Sequence, residues 1–223
     1  MLEGHISKAF DGDLATLHIR LIEMGGLVLA QAHDATQAYT NWDAAAARAV
    51  NEREREVNQY KRSIDAEQQT LIARRAPVAS DLRAVIAMSK VIAELERAGD
   101  EAKKIARTVL SPTPRPGPAT GHDVRHLGQL AVALLRRSLE ALDNFDPALA
   151  QEVIARDKDL DAEYAAGLRR LLTRAMEDPR SIEVALEAAF VLKYLERIGD
   201  HARNISRHVL TVAAEASAPP HTP

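Results

Sequence analysis

Apolar residues recur at three- and four-residue steps through most of this chain, which is the spacing that places them on one face of an α-helix. In the first such segment the stripe is broken by a single polar position, Gln31. Its apolar members are Leu14, Leu17, Leu21, Met24, Val28, Ala35 and Ala38. The pattern predicts a long first helix with one buried face, followed by a turn at Trp42 and Asp43.

Two more helices are predicted in the first half of the chain. The second ends at Arg74 and Arg75, since cations are favoured in the last turn of a helix. Its apolar positions are Ala46, Val50, Val57, Tyr60, Ile64 and Leu71. We expect Pro77 to begin the third helix. The stripe of this helix consists of Leu82, Val85, Ile86, Ile92 and Leu95.

The second half follows the same plan. A fourth helix is predicted over Asp123–Asp143. Asp146 and Pro147 then supply an N-cap and a proline at the first helical position, which start the fifth helix. We expect Asp178 and Pro179 to start the sixth helix in the same way.

Proline-rich segments divide the chain. Residues 111–120 read SPTPRPGPAT, with four prolines and one glycine, and this composition predicts a linker. Residues 1–110 and 121–216 then form two three-helix units, and residues 217–223 are expected to be a disordered tail. The predicted fold is all-α, with two tandem pseudo-symmetric three-helix bundles and six long helices.

An internal duplication supports this division. The segment LERAGDEAKKIARTVL at 95–110 returns as LERIGDHARNISRHVL at 195–210, and ten of the sixteen positions are identical. Unrelated helical segments would share only one or two positions, so the two halves are copies of one unit.

The duplicated segment retains features that do not favour a helix. Glu96 and Asp100 lie one helical turn apart, and Glu196 and Asp200 repeat this pair. Like charges at that spacing destabilise a helix by a few tenths of a kcal/mol. Each copy also keeps a glycine between the two acids, which costs about 1 kcal/mol relative to alanine inside a helix. The acidic pairs and the glycine are therefore candidates for a functional site.

A second acidic pair lies one helix earlier. Asp157 and Asp161 are four residues apart on the predicted fifth helix, and their counterparts at an offset of 103 are Glu54 and Asn58. If the fifth and sixth helices are antiparallel neighbours, four carboxylates converge between them. Such a cluster of hard oxygen ligands suits Fe, Mn, Mg or Ca, and Zn less selectively.

Other interpretations of these residues remain open. Carboxylates four apart on a helix are most often solvated. Lys104, which stands where the second copy has Asn204, could simply pair with Asp100. His201 could approach a metal bound in the second half.

The duplicated arginines also allow two interpretations. Arg97 and Arg197 could order the acidic clusters or could cover the bundle surface with their aliphatic stems.

Composition narrows the function classes. Hydrophobic residues make up 46% of the chain and aromatic residues only 4%, which favours helices over strands. The net charge of −3 gives no electrostatic case for nucleic-acid binding. The absence of cysteine excludes disulfides, thiolate metal sites and cysteine nucleophiles. With no signal-peptide pattern and no apolar run near the roughly 20 residues of a spanning helix, a soluble protein is expected.

At this point several segments resemble one family. LERIGDHARNISRHV is similar to the signature of the PhoU family, the phosphate-signalling regulators of bacteria. The segments HISKAFDGDLATLHIRLIEMGG, IARRAPVASDLRAVI and DKDLDAEY also resemble that family, in order along almost the whole chain.

The resemblance implies two PhoU repeats with multinuclear clusters held by E/D-x-x-x-D motifs, iron or zinc being the usual metals and Mn or Mg further options. The motif falls on Asp157, Asp161, Glu196 and Asp200 in the second repeat, and on Glu54, Glu96 and Asp100 in the first. Asn58 departs from the pattern, so the first site lacks one carboxylate.

The resemblance also implies a role. It implies a cytoplasmic negative regulator of the phosphate regulon and of phosphate uptake, without catalytic activity. Such a protein would link the ATPase subunit of the phosphate ABC transporter to a sensor histidine kinase. A homodimer is expected, with no nucleic-acid partner and with membrane association only through these partner proteins.

Three rival functions are considered. A carboxylate-bridged di-metal oxidase would need Glu-x-x-His pairs, and Asp123-x-x-His126 is the nearest approach in this chain. A metal-free helical adaptor would use the acidic pairs to contact basic partner surfaces. A PhoU-like protein could also serve a phosphate transporter of another type. No Walker-type loop or nucleotide-binding fingerprint is present.

Overall fold

The computed structural model describes residues 8–77 and 80–216, and within these ranges the regular structure is helical throughout. The helices are α1 (Lys8–Asn41), α2 (Ala44–Arg75), α3 (Ser80–Val109), α4 (Pro118–Asp143), α5 (Pro147–Glu177) and α6 (Ile182–Ala216). The predicted all-α fold with six long helices is therefore confirmed. The predicted tail at 217–223 lies outside the described residues. None of the helices that are described is long and apolar enough to span a membrane.

Equivalent turns join the first two helices of each half. Asp43 caps α2, and its carboxylate accepts hydrogen bonds of 2.8 and 3.0 Å from the backbone N–H groups of Ala45 and Ala46. Asp146 caps α5 in the same way. The residue before each cap has a positive φ, 57° at Trp42 and 50° at Phe145. These matching turns, 103 residues apart, confirm the predicted turn at Trp42 and the predicted cap at Asp146.

The predicted start of the third helix at Pro77 is wrong. Ala76 adopts a left-handed conformation and donates its backbone N–H to the carbonyl of Ile72, which closes α2. Proline is common directly after such a cap because it cannot continue the helix. Pro77 therefore follows the end of α2, and α3 begins at Ser80.

Two other helix starts differ from prediction. The fourth helix begins at Pro118, five residues before Asp123, so the last residues of the predicted linker are helical. A proline is tolerated there because the first N–H of a helix has no intrahelical partner. Asp178 and Pro179 start a single 3₁₀ turn, Pro179–Ser181, and α6 follows from Ile182.

Each half forms a three-helix bundle, and the two bundles share a core. The helices α1, α2 and α3 pack on one another, as do α4, α5 and α6. Between the halves, α1 packs on α4 and α3 packs on α6. The centre of the molecule is therefore built by α1, α3, α4 and α6, with α2 and α5 on the outside. Leu21, Met24, Leu135 and Leu195 are among the fully buried side chains of this core.

Close contacts at two glycines indicate that the two halves are related by an approximate two-fold axis. A Cβ atom on Gly25 would lie 2.5 Å from Cδ2 of Leu139, and one on Gly128 would lie 2.3 Å from Cγ2 of Thr36. Gly128 lies 103 residues after Gly25, and Leu139 lies 103 residues after Thr36. The two close contacts are therefore equivalent in the two repeats. The missing side chains let α1 and α4 approach closely at both points.

Polar side chains cross the other seam, between α3 and α6. Nδ1 of His201 lies 2.7 Å from Oε2 of Glu94, and Asn204 donates a hydrogen bond of 3.2 Å to the same oxygen. Arg197 pairs with the buried Glu101 at 3.1 Å. Burial alone would raise the pKa of Glu94, but the hydrogen bonds from His201 and Asn204 outweigh burial and hold this pKa below its usual value.

Candidate functional site

The packing of α5 on α6 brings the predicted acidic residues of the second repeat towards one another. Asp157 is buried, Glu196 and Asp200 are partly buried, and Asp161 is exposed. We call this group, Asp157, Asp161, Glu196 and Asp200, the second acidic site. The charge of Asp157 interacts with the charges of Asp161 and Asp200, so these three of the four predicted residues share one electrostatic environment.

An arginine joins the two helices at the second acidic site. Arg203 lies on α6, and its Nη1 donates to Oδ2 of Asp157 on α5. Its Nη2 lies 2.7 Å from Oδ1 of Asp200. Lys193 pairs with Glu196 at 2.6 Å. Two cations therefore balance part of the charge of the four carboxylates, and Arg203 bridges the two helices.

Asp157 is only partly satisfied by this arginine. Its Oδ1 atom is buried and has no hydrogen-bond partner within the described structure. Burial raises the pKa of Asp157, and the neighbouring Asp161 and Asp200 act in the same direction, although Arg203 opposes them. Gly199 lies beside this oxygen, since a Cβ there would be 3.7 Å from Oδ1 and 2.0 Å from Cδ2 of Leu160. The glycine gives the leucine room to pack against α6 beside the carboxylate.

The first acidic site, which we define as Glu54, Glu96 and Asp100, occupies the equivalent place between α2 and α3. Glu54 is buried, and Nε2 of Gln31 on α1 donates to its Oε2 at 2.9 Å. Nδ2 of Asn58 donates to its Oε1 at 2.7 Å. Both oxygens of Glu54 are therefore hydrogen-bonded to neutral amides. The counterpart of Gln31 is Leu134, so the second repeat has no amide at the same position.

Lysines replace the arginine at the first acidic site. Lys103, the counterpart of Arg203, lies 4.0 Å from Oε1 of Glu54 and 3.8 Å from Oδ1 of Asp100. Lys61 on α2 pairs with Glu96 at 3.1 Å. Burial raises the pKa of Glu54, and Asp100 adds to this effect, while Gln31, Lys103 and Asn58 oppose it. The contacts of Lys103 are longer than those of Arg203, so the first site is held more loosely.

The glycine of the first site also provides space. A Cβ on Gly99 would lie 3.2 Å from both Oε1 of Gln31 and Oε2 of Glu54. The duplicated glycines Gly99 and Gly199 thus both allow close approach of neighbouring side chains, Gln31 and Glu54 at Gly99 and Leu160 of the outer helix at Gly199. This observation accounts for the costly mid-helix glycine in both repeats.

The oxygen ligands suit a hard cation, but in the described arrangement they are paired with cations of the protein. Within residues 8–77 and 80–216, no three His, Asp or Glu side chains converge to hold a metal ion. The second acidic site fits a metal better than the first, because it has four carboxylates and a buried oxygen on Asp157 that has no hydrogen-bond partner among the described residues. A metal ion there would compete with Arg203 for Asp157 and Asp200.

Some residues singled out from the sequence lie elsewhere. His201 faces Glu94 across the seam between the halves rather than an acidic site. Arg97 pairs with Glu94 and Arg197 with Glu101, so neither contacts a predicted site residue in the structure. Lys104 pairs with Glu101 at 2.9 Å, and Lys103 is the cation near Asp100.

Sequence reasoning missed the partners of the two buried acids. Arg203 and Lys103 follow Asp200 and Asp100 by three residues, which places each on the same helical face as its aspartate. That spacing could have identified them. Gln31 was visible as the one polar residue in an apolar stripe, but nothing in its own helix indicates a contact with Glu54.

Comparison with known proteins places the chain in a family. The PhoU domain profile matches residues 21–109 and 124–209, which corresponds to one match in each half. The phosphate-specific transport system accessory protein PhoU homolog of Pseudomonas putida is 44% identical over 210 residues, covering 94% of this chain and 82% of that protein. The accessory protein PhoU of Escherichia coli K12 is 38% identical over 208 residues, covering 93% and 86%.

Solved structures that resemble this chain belong to the same family. The crystal structure of PhoU from Pseudomonas aeruginosa is 40% identical, with a TM-score of 0.85 over 92% of this chain and 99% of that one. PhoU from Streptococcus pneumoniae, described as a phosphate transport system regulatory protein, gives a TM-score of 0.82 at 26% identity, over 92% and 96%. These names describe accessory and regulatory proteins rather than enzymes, in agreement with the prediction that the chain is no enzyme. The chain belongs to the PhoU family.

Proposed function

We propose that this protein is a cytoplasmic accessory regulator of phosphate uptake that limits the phosphate regulon when phosphate is plentiful. The observation that carries the proposal is the match of both repeats, over 94% of the chain, to a phosphate-specific transport system accessory protein. The partners proposed are the ATPase subunit of a phosphate ABC transporter and a sensor histidine kinase. The protein would act by binding them, as a homodimer, and not by catalysis.

The architecture supports an adaptor role. Six long helices share one core, and two seams of close contact join the halves. Such a molecule offers long, preformed helical surfaces, so a partner can bind without the entropic cost of ordering a flexible segment. Rigid helices also keep two binding surfaces at a fixed separation, as a link between a transporter and a kinase requires.

The regulatory role is tested by deleting the gene in its own host and measuring a phosphate-regulon reporter. The expected result is high reporter activity in phosphate-rich medium, restored to low activity by the wild-type gene. Reporter activity that stays low in the deletion strain would contradict negative regulation. Binding to the purified ATPase subunit and to the cytoplasmic part of the kinase, measured by biolayer interferometry, tests the two partners separately.

We further propose that the acidic sites bind metal ions, with iron or zinc as the first candidates and the second acidic site as the tighter one. Four carboxylates and an unpaired buried oxygen of Asp157 support this assignment. Asp157, Asp161, Glu196 and Asp200 would hold the metal, which would supply positive charge between α5 and α6. Glu54, Glu96 and Asp100 would form the weaker site, because both oxygens of Glu54 are already bonded to amides.

Metal content after purification without chelator or affinity metal tests this proposal. Plasma mass spectrometry would compare the wild type with Asp157→Asn/Asp200→Asn and with the matched Glu54→Gln/Asp100→Asn variant. We expect the second-site variant to lose most of the bound metal and the first-site variant to lose less. Equal, trace metal in all three proteins would reject the metal proposal and leave the regulatory role untouched.

A metal-free adaptor is the second candidate, and one contact favours it. Arg203 already bridges Asp157 and Asp200, so it can hold α5 to α6 without a metal. In that case chelator would leave partner binding unchanged. Acidic-site variants would then bind the partner equally with and without chelator.

A further inference from the structure

The solvent-exposed side of α4 carries a line of cationic and histidine side chains. Its exposed positions repeat at three- and four-residue steps, which places them on one face of the helix. We call this face the α4 stripe; it comprises the exposed His122, Arg125, His126, Gln129, Ala133, Arg136 and Glu140 and the half-buried Arg137. From residue 122 to residue 140 it extends about 27 Å, at 1.5 Å per residue. Three arginines and one glutamate give this face a positive charge on a protein whose net charge is −3.

Two of these arginines have no acidic partner among the residues that the structure describes. Arg125 and Arg136 are exposed and form no ion pair within the described parts of the chain. Arg137 differs, because it pairs with Glu152 of α5, which also binds Arg156 at 2.9 Å. The charges of Arg125 and Arg136 are therefore available to another molecule. They lie 11 residues apart, a separation of about 16 Å along the helix.

The other repeat shows that the fold does not need these arginines. At an offset of 103, the counterparts of Arg125, Arg136 and Arg137 on α1 are Ile22, His33 and Asp34. The buried positions of α1 largely coincide with those of α4, although Ile22 is half-buried where Arg125 is exposed, and both helices occupy equivalent places in the fold. The buried face of this helix therefore does not require the arginines. A feature of one repeat that packing does not require is a candidate for recognition.

The shape of the surface suits an elongated occupant. A groove of about 510 Å³ runs between α1 and α4 near Arg136, with Gln129 and Ala133 among its lining residues. The small, exposed Ala133 lies beside Arg136 in this groove, and Arg125 lies further along the same face of α4. A helix can approach closely over such a small side chain while the long arginine side chains reach its flanks.

We propose that the α4 stripe is a docking surface for an acidic protein segment, such as a helix with two carboxylate groups spaced to reach Arg125 and Arg136. Guanidinium groups bind carboxylates through two parallel hydrogen bonds, so arginine is suited to this recognition. Nucleic acid and anionic membranes fit less well, because Glu140 within the stripe and Glu152 beside Arg137 repel a uniformly negative surface. A protein segment can place its acids away from these glutamates. The proposal does not depend on metal binding at the acidic sites.

Photo-crosslinking in cells tests the proposal. A photoreactive amino acid would replace Gln129 or Ala133 in the full-length protein, with Gly26 and Ala30, their counterparts on α1, as control positions. The expected result is an adduct at the α4 positions whose cross-linked peptide, identified by mass spectrometry, is rich in Asp and Glu. No adduct above the level of the α1 positions, or adducts to nucleic acid or lipid, would overturn the proposal.

A matched pair of variants shows whether charge causes the binding. Arg125→Gln/Arg136→Gln lowers the net charge by two, and Ile19→Glu/His33→Glu lowers it equally through exposed positions of α1. We expect the first variant to reduce the adduct about tenfold, corresponding to about 1.4 kcal/mol, and the second to leave it unchanged. Arg125→Lys/Arg136→Lys should retain part of the adduct. Equal adduct yields in the two matched variants would also overturn the proposal.

Discussion

The two acidic sites lie at equivalent places in the two repeats, yet the protein compensates their buried charges in different ways. In the first site, Gln31 and Asn58 donate hydrogen bonds to Glu54, and Nζ of Lys103 lies 4.0 Å from Oε1 of Glu54. In the second, Arg203 contacts both Asp157 and Asp200, and one oxygen of Asp157 has no partner among the described residues.

This difference shows which features of the acidic sites are common to both repeats and which differ between them. Both repeats keep a buried carboxylate on the outer helix and a glycine opposite it. The hydrogen-bond donors to the carboxylate differ, neutral amides at Glu54 and an arginine at Asp157, while a cation lies near both carboxylates. A buried ion pair by itself is weak support for stability, so a buried carboxylate kept with different donors is a candidate for retention through its own chemistry. Metal binding or partner contact would account for its retention.

Removal of the cation should separate the two sites most strongly. In chelator-treated protein, we expect Arg203→Met to lower the free energy of unfolding by about 3 kcal/mol, because it leaves the buried Asp157 without a counter-ion. Lys103→Met should cost less than about 1 kcal/mol, since its contacts are long and partly exposed. Urea unfolding of the three proteins measures both values. Equal losses would mean that the two sites are electrostatically equivalent.

Gln31→Leu should have the next largest effect, at about 1–2 kcal/mol. This change removes the amide that donates to the buried Glu54 and copies the leucine found at the equivalent place in the second repeat. Gln37→Leu, on the same helix and only partly buried, serves as the control. If urea unfolding shows no difference between the two variants, the amide does not stabilise the first site.

The pH dependence should distinguish two buried glutamates. Burial raises the pKa of Glu54, so the folded state binds a proton more readily there than the unfolded state does. The stability this group contributes is present in acid and is lost as the pH rises through its folded pKa. Glu54→Gln in metal-free protein should therefore raise the melting temperature at pH 7.5 relative to the wild type, and this gain should vanish near pH 4.

Glu94→Gln provides a control of opposite sign. The pKa of Glu94 is lowered, so its contribution to stability is present above the unfolded pKa and is lost as the pH falls through the folded value. The variant should melt below the wild type at pH 7.5 and approach it in acid. Scanning calorimetry at the two pH values measures both differences. Shifts of the same sign in the two variants would contradict the assigned pKa directions.

The smallest effect is expected from exchanging Asn58 and Asp161, the position at which one repeat has an amide and the other a carboxylate. Asn58→Asp places a like charge one turn from Glu54, and Asp161→Asn relieves such a pair near Asp157. In metal-free protein the first change should destabilise by up to about 1 kcal/mol, since a hydrogen bond to Glu54 is also lost. The second change should stabilise by a few tenths of a kcal/mol. With added metal, we expect Asn58→Asp to become the stabilising change and Asp161→Asn the destabilising one. The melting temperatures of the variants with and without metal measure this.

The sequence predicts the fold well because helical periodicity and the duplication are both long-range patterns. The apolar stripe of α1, the turn at Trp42 and Asp43 and the cap at Asp146 are confirmed, since they depend on local spacing and local hydrogen bonds. Prolines gave less reliable boundaries. Pro77 follows a helix end and Pro118 begins a helix, and the residue type alone does not distinguish these two roles.

The candidate site was only partly predictable. The positions of Glu54 and Asp157 follow from the repeat, but their partners come from other helices or from neighbouring turns. The contact of Gln31 with Glu54 joins α1 to α2, and the contact of His201 with Glu94 joins the two halves. Such contacts depend on how helices are rotated against each other, which periodicity does not determine. The metal ligands proposed from the sequence stay a prediction.

The equivalent contacts at Gly25 and Gly128 show that the two repeats pack on each other like the two copies of a symmetric dimer, here joined in one chain. In a true homodimer every substitution appears twice, so neither surface can change without the other. Joining the copies removes that constraint. One unit could then gain arginines along its first helix while the other kept isoleucine, and one buried acid could take an arginine while the other kept amides. A duplicated fold of this kind can present two different surfaces on one shared core.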